Sequence, residues 1–119
     1  MSDELPILDM AVLAELRASV AGDEAFVREL AAAYLAEGTD HLAAIAAAAG
    51  AGDAAAIVRP AHTLKSSSAA LAAARLAAQC RQIEFGGREG RVASAAEVET
   101  VRATWQATIE ALKAAGLAE

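Results

Sequence analysis

The chain has 119 residues, of which 56% are apolar and only 3% aromatic, and it carries a formal net charge of −6. That length suits one domain around one core, and alanine, close to a third of all residues, favours tightly packed helices over a sheet. The acidic balance, with ten Lys and Arg read as scattered along the chain, argues against nucleic-acid binding, which needs a basic patch. The lone Cys80 excludes a disulfide framework and a cysteine metal cage.

Start and stop signals divide the chain into helices. The N-terminal MSDELPILDM is acidic and lacks the charged lead and apolar run of a signal peptide. Asp9 then precedes MAVLAELRASV, a short amphipathic helix with Val12, Leu13 and Leu16 on one side. Gly22 is its stop, and Asp23 caps the next helix. That second segment repeats Phe26, Leu30, Tyr34, Leu42, Ile45 and Ala49 at helical steps. Gly38 in its middle allows either one bent helix or two shorter ones. GAGD closes it, and Asp53 caps a third helix whose stripe is Ile57, Ala61, Leu64, Ser68 and Leu71. After a minimal break near Ala72–Ala74, a fourth helix carries Leu76, Cys80 and Ile83, with Gly86, Gly87 and Gly90 ending it. Ser94 and Glu97 form a capping box for a last helix with Val98, Val101, Trp105, Ile109 and Leu112 facing in. No segment alternates like a strand, and the connections are short. The expectation is an all-α, up-down antiparallel four-helix bundle (24–49, 54–72, 74–87 and 95–115). An additional short N-terminal helix packs across one end, and residues 1–119 form a single domain.

The third helix carries the residues that need explaining. Relative to its inward stripe, His62 points roughly 140° away at 100° per residue, into solvent and away from either helix end. Lys65 lies one turn on, about 60° round, and Ser66 about 40° round. Ala55 and Ala69 continue the same strip, so an exposed imidazole stands on a ridge of small side chains with a cation beside it. A neutral imidazole nitrogen is a nucleophile near pH 7, and a phosphoryl group placed on it would bring negative charge that Lys65 can pair with. The chain shows no Gly-rich phosphate loop and no carboxylate pair for Mg²⁺, so a partner would have to supply the metal.

The stretch AHTLKSSSAALAA resembles the signature of histidine phosphotransfer (HPt) domains, His-x-Leu-Lys-Gly-Ser-Ser/Ala-x-x-Leu-Gly, at His62, Leu64, Lys65, Ser67 and Leu71. A Phe-containing first bundle helix, a Gly-Asp turn before the active helix and the LAAQCRQIE stretch agree with that layout over nearly the whole chain. The resemblance implies that His62 accepts a phosphoryl group from the phospho-aspartate of a response-regulator receiver domain and passes it to another. It implies that Lys65 stabilises the charge of the phosphate and that Ser66 belongs to the docking surface, to which Val58, Arg59 and Ala69 are expected to contribute. Two positions depart from the signature: Ser66 stands where glycine is usual, and Ala72 where a second glycine often sits, the latter bearing on packing more than on chemistry.

The expected partners are receiver domains, which supply Mg²⁺, and a sensor or hybrid histidine kinase. No cofactor, metal site, nucleic acid or membrane is expected. The protein is read as a cytoplasmic monomer, a carrier without small-molecule turnover. Other residues have plainer readings. Glu37 and His41, four apart, are too few for a metal site. Cys80, Tyr34 and Trp105 read as core, and Ser68 as bonding the Leu64 carbonyl. Pro60, well inside its helix, predicts a kink just before His62. The rival readings are a helical interaction module that docks a receiver or kinase without being phosphorylated, and a kinase dimerisation hairpin.

Overall fold

Aspartate and serine caps set the helix starts as expected. In the computed structural model, which describes residues 4–119, the helices are α1 (Met10–Ser19), α2 (Glu24–Gly50), α3 (Ala54–Ala70), α4 (Ala74–Arg88) and α5 (Ala95–Ala114). There is no strand among the described residues. Side-chain oxygens of Asp9, Asp23 and Asp53 accept from the first-turn backbone N–H groups of α1, α2 and α3, and Ser94 with Glu97 closes a reciprocal box on α5. Each cap satisfies donors that a helix start leaves without partners. α4 has no side-chain cap, and the turn before it is held by backbone bonds. Ala73 N–H donates to the Ser68 carbonyl at 2.8 Å, while Asp9 and Arg75 N–H groups tie the N-terminal segment to it through the Ala72 and Pro6 carbonyls. Ala72 takes φ +67° in that turn, a left-handed conformation that disfavours a Cβ. The glycine usual at this position is thus explained by backbone conformation.

α2 to α5 form the up-down bundle. A 27-residue helix is about 40 Å long, so α2 runs nearly the full 43 Å of the molecule. It is one continuous helix through Gly38. α3 packs between α2 and α4, and α5 completes the bundle against the same two helices. α1 lies at the end where α2 begins and α5 finishes. Leu13 is fully buried there, and Arg17 pairs with Glu24 at 2.9 Å while donating to the Ala115 carbonyl at 3.2 Å.

The stripes of α2 and α5 and the bonding of Ser68 differ from expectation. On α2 the buried positions are Val27, Ala31, Tyr34, Gly38, Leu42, Ile45 and Ala48, and Phe26 is exposed. On α5, Thr104 and Thr108 are buried and Ile109 only half-buried. The Thr108 hydroxyl is satisfied by the Thr104 carbonyl at 2.7 Å. Ser68 does not bond the Leu64 carbonyl. Its hydroxyl pairs with that of Tyr34 at 2.8 Å, and Ser67 takes the carbonyl instead at 3.3 Å. The Tyr34 ring also meets Trp105 edge-on, with centroids 5.3 Å apart, so one polar contact and one aromatic contact join α2, α3 and α5.

Gly86 and Gly87 lie inside α4, which continues to Arg88, and Gly90 with φ +85° follows its end. Gly87 is a contact point. A Cβ there would meet Ile57 Cγ2 at 2.7 Å, the Ala54 carbonyl oxygen at 2.9 Å and Val58 Cγ2 at 2.9 Å. Gly38 does the same between α2 and α5, where a Cβ would fall against the Trp105 ring, with Cζ3 at 2.9 Å. Both glycines let neighbouring helices approach closely. α3 runs unbroken through Pro60. The Ala56 carbonyl, which the proline ring deprives of its donor, belongs to an exposed residue. In Gly38→Ala and Gly87→Ala the better helix propensity of alanine, up to about 1 kcal/mol, is outweighed by overpacking. Each variant is expected to lose about 1–3 kcal/mol, read as a lower urea midpoint at unchanged slope.

Candidate functional site

His62 sits near the middle of α3 with its side chain 52% exposed, as the helical geometry requires. Its position follows from the stripe beneath it, since Ile57, Ala61, Leu64 and Ser68 are all fully buried and turn the opposite face outward. Ser66 and Ala69 are exposed on that face, as is Arg59. Val58 is half-buried, because its Cγ2 fills the space that Gly87 leaves open.

A carboxylate from the next helix completes the cluster. Glu84 of α4 is only 2% exposed and lies against His62, whose Nδ1 is 3.0 Å from Glu84 Oε2. Lys65 Nζ forms an ion pair with Glu84 Oε1 at 2.9 Å. Arg88, one turn further along α4, donates to Oε2 through Nη2 at 2.8 Å and Nε at 3.1 Å. Lys65 is therefore held by a carboxylate in this resting arrangement, with its side chain 26% exposed. Burial pushes the Glu84 carboxyl up, but hydrogen bonds from Lys65, Arg88 and His62 outweigh it and hold the pKa at about 2. Glu84 is thus ionised throughout the neutral range.

An ionised carboxylate only accepts hydrogen bonds, so Nδ1 of His62 must donate. In the neutral ring the proton then resides on Nδ1, and Nε2 keeps its lone pair. That makes Nε2 the nucleophilic atom, on an exposed ring bordered by two cations and by small side chains. The carboxylate also favours the positive charge that the ring acquires when Nε2 bonds to an electrophile.

Helical periodicity predicts His62 and Lys65 on one face, as observed, but says nothing of Glu84 and Arg88, which α4 brings beside them. A signal for the pair existed. Glu84 adjoins Ile83 of the apolar stripe, Arg88 follows four residues later, and the intervening Gly87 permits close approach to α3. The other candidates are structural. Cys80 is fully buried, and burial pushes its thiol up to about 12, which removes thiolate reactivity. Tyr34 is buried among core residues, and its hydroxyl is pushed well above its ordinary pKa by that burial. His41 is half-buried, and no group of three or more His, Cys, Asp or Glu able to hold a metal occurs among the described residues. Among those residues, too, no helix is long and apolar enough to cross a membrane.

The family model of the Hpt domain matches residues 29–115, a span that includes His62, Lys65, Glu84 and Arg88. The fold is similar to the crystal structure of histidine-containing phosphotransfer protein B (HptB) from Pseudomonas aeruginosa PAO1. That match has a TM-score of 0.80 and 30% sequence identity, over 91% of this chain and 92% of that one. No curated protein matches the chain by sequence. With an exposed histidine on the third of five helices and a family match over most of its length, this chain belongs to the Hpt domain family of histidine phosphotransfer proteins.

Proposed function

We infer that His62 Nε2 is the atom through which this phosphorelay protein carries its phosphoryl group. The observation that carries the reading is the Nδ1 contact to buried, ionised Glu84 at 3.0 Å, which leaves Nε2 unprotonated on the exposed side of the ring. A partner receiver presents an aspartyl phosphate together with its own Mg²⁺. The Nε2 lone pair forms the new N–P bond in line, the P–O bond to the aspartate breaks, and that electron pair returns to the aspartate carboxylate. No proton need move, because the one on Nδ1 stays in place against Glu84. The ring becomes cationic over a buried anion, which lowers the cost of the charge. The return step to a second receiver is the same exchange reversed.

Lys65 and Arg88 have a double use in this reading. At rest they neutralise Glu84. When a phosphoryl group arrives on Nε2, their long stems can turn the charged heads toward its oxygens, which stabilises the bound phosphate. Ser66 and Ala69 keep the approach to His62 low, so a partner cleft can reach the ring, and Arg59 borders it on the far side. The protein turns over no small molecule in this account, and the monomer acts as the carrier.

The alternative, an interaction module that docks a receiver without accepting phosphate, is less well supported, since it gives no reason to bury a carboxylate beneath an exposed imidazole.

His62→Gln should keep the helical circular-dichroism spectrum and lose all transfer of radiolabelled phosphate from a phosphorylated receiver. Transfer persisting in that variant would move the acceptor elsewhere. Lys65→Ala should slow transfer by about one to two orders of magnitude without abolishing it, as read in rapid-quench time courses. Glu84 also predicts an acid response. Its folded pKa of about 2 lies below the ordinary 4.5, so the unfolded chain binds the proton first as pH falls. The stabilisation is complete above about pH 4.5, declines below it and is gone near pH 2. Glu84→Gln should cost about 2 kcal/mol at neutral pH and flatten the loss of stability in that acid window, as measured by urea titration at several pH values.

A further inference from the structure

The net charge hides a strong segregation. Of the ten basic residues, Arg59, Lys65, Arg75, Arg81, Arg88 and Arg91 all fall between residues 54 and 91, where the only acids are Glu84 and Glu89. The other four basic residues share the rest of the chain with fourteen carboxylates. The basic residues are therefore concentrated, contrary to the sequence reading. The α3–α4 hairpin that bears His62 is cationic, and the α1, α2 and α5 side of the molecule is anionic.

On that hairpin one strip of α4 faces outward beside the histidine. Arg81, Phe85 and Arg88 are all exposed, and at 100° per residue they lie within about 60° of one another. Arg88 contacts Glu84 and Glu84 contacts His62, so one edge of the strip, at Arg88, borders the imidazole. Phe85 is 46% exposed and stands outside the hydrophobic core. The Arg81 guanidinium carbon lies 4.9 Å from the centre of its ring, a cation–π contact at the surface. Aromatic residues, phenylalanine included, and arginine are both enriched at protein interfaces relative to the rest of the surface.

We propose that this strip selects the partner, a protein whose docking face carries carboxylates around an apolar recess. The proposal rests on the phosphotransfer reading above and adds the partner's surface chemistry to it. The cationic hairpin attracts the acidic face at long range and the anionic back of the bundle repels it, so encounters are oriented toward His62 before contact. Phe85 then enters the recess, and Arg81 pairs with a carboxylate at its edge.

Phosphoramidate, a small phosphodonor that needs no docking, provides the control. Wild type, Phe85→Ala and Arg81→Glu are loaded with it and offered to every receiver domain of the source genome at low and high NaCl. All three should label on His62 equally and melt alike, since neither substitution touches the cluster. The fastest wild-type acceptors should be receivers with acidic docking faces, and raising the salt should slow them about tenfold. Phe85→Ala should slow those same receivers about tenfold or more, and Arg81→Glu should slow them and flatten the salt dependence. Equal transfer by all three proteins at both salt concentrations overturns the proposal while leaving phosphotransfer intact. Failure of phosphoramidate to label His62 in the wild type overturns the phosphotransfer reading itself, and this proposal with it.

Discussion

A single buried carboxylate organises the functional half of this molecule. An ionised group taken out of water is costly unless its oxygens are paired. Glu84, 2% exposed, meets that requirement with Lys65 and His62 from α3 and Arg88 from its own helix. The demand for partners runs both ways. It holds the imidazole in one tautomer and one orientation, and it gathers two cations on the carboxylate that contacts the ring. A cluster of this kind is poised, because the cations are already close when new negative charge arrives.

Such closeness depends on a feature with no chemistry of its own. Gly87 lies one turn beyond Glu84 at a point where a side chain would collide with Ile57, Val58 and the Ala54 carbonyl. Its missing Cβ lets α4 settle onto the first turns of α3, which brings Glu84 under His62. Gly38 plays the corresponding part between α2 and α5, against Trp105. The alanine richness of the chain fits the same plan. Small residues allow helices to pack closely and leave low relief around His62, while a few large side chains such as Tyr34, Trp105 and Leu64 fill the remaining volume.

The two halves of the bundle therefore carry different tasks. α2 and α5, with α1 across their end, supply the long scaffold and most of the negative charge. α3 and α4 supply the histidine, its support and most of the positive charge. Pro60 is tolerated within α3 because the orphaned carbonyl belongs to exposed Ala56, where it can be hydrated. The left-handed Ala72 sits in a turn held by backbone bonds on both sides, so its strain is met by the surrounding structure.

Local rules made much of this legible from residue order. The helix starts at Asp9, Asp23, Asp53 and Ser94 follow from short-range capping, and the outward direction of His62 and Lys65 follows from 3.6-residue periodicity. Both are properties of a chain segment and its immediate neighbours, as is the HPt signature around His62. Where alanine is abundant, small residues fit either face and periodicity leaves the stripe ambiguous, so the spacing points Phe26 inward although Val27 and Ala31 take that role. What only the tertiary structure decided is how helices meet across sequence distance. Gly86 and Gly87 read as a stop, yet both lie within α4 and Gly87 marks its approach to α3, and Ser68 pairs with Tyr34 instead of its own helix. Glu84 stands 22 residues from His62, and its burial, depressed pKa and control of the imidazole tautomer exist only once two helices pack. Electrostatic coupling depends on distance in space and on exclusion of water, and neither is encoded in any local stretch of the chain.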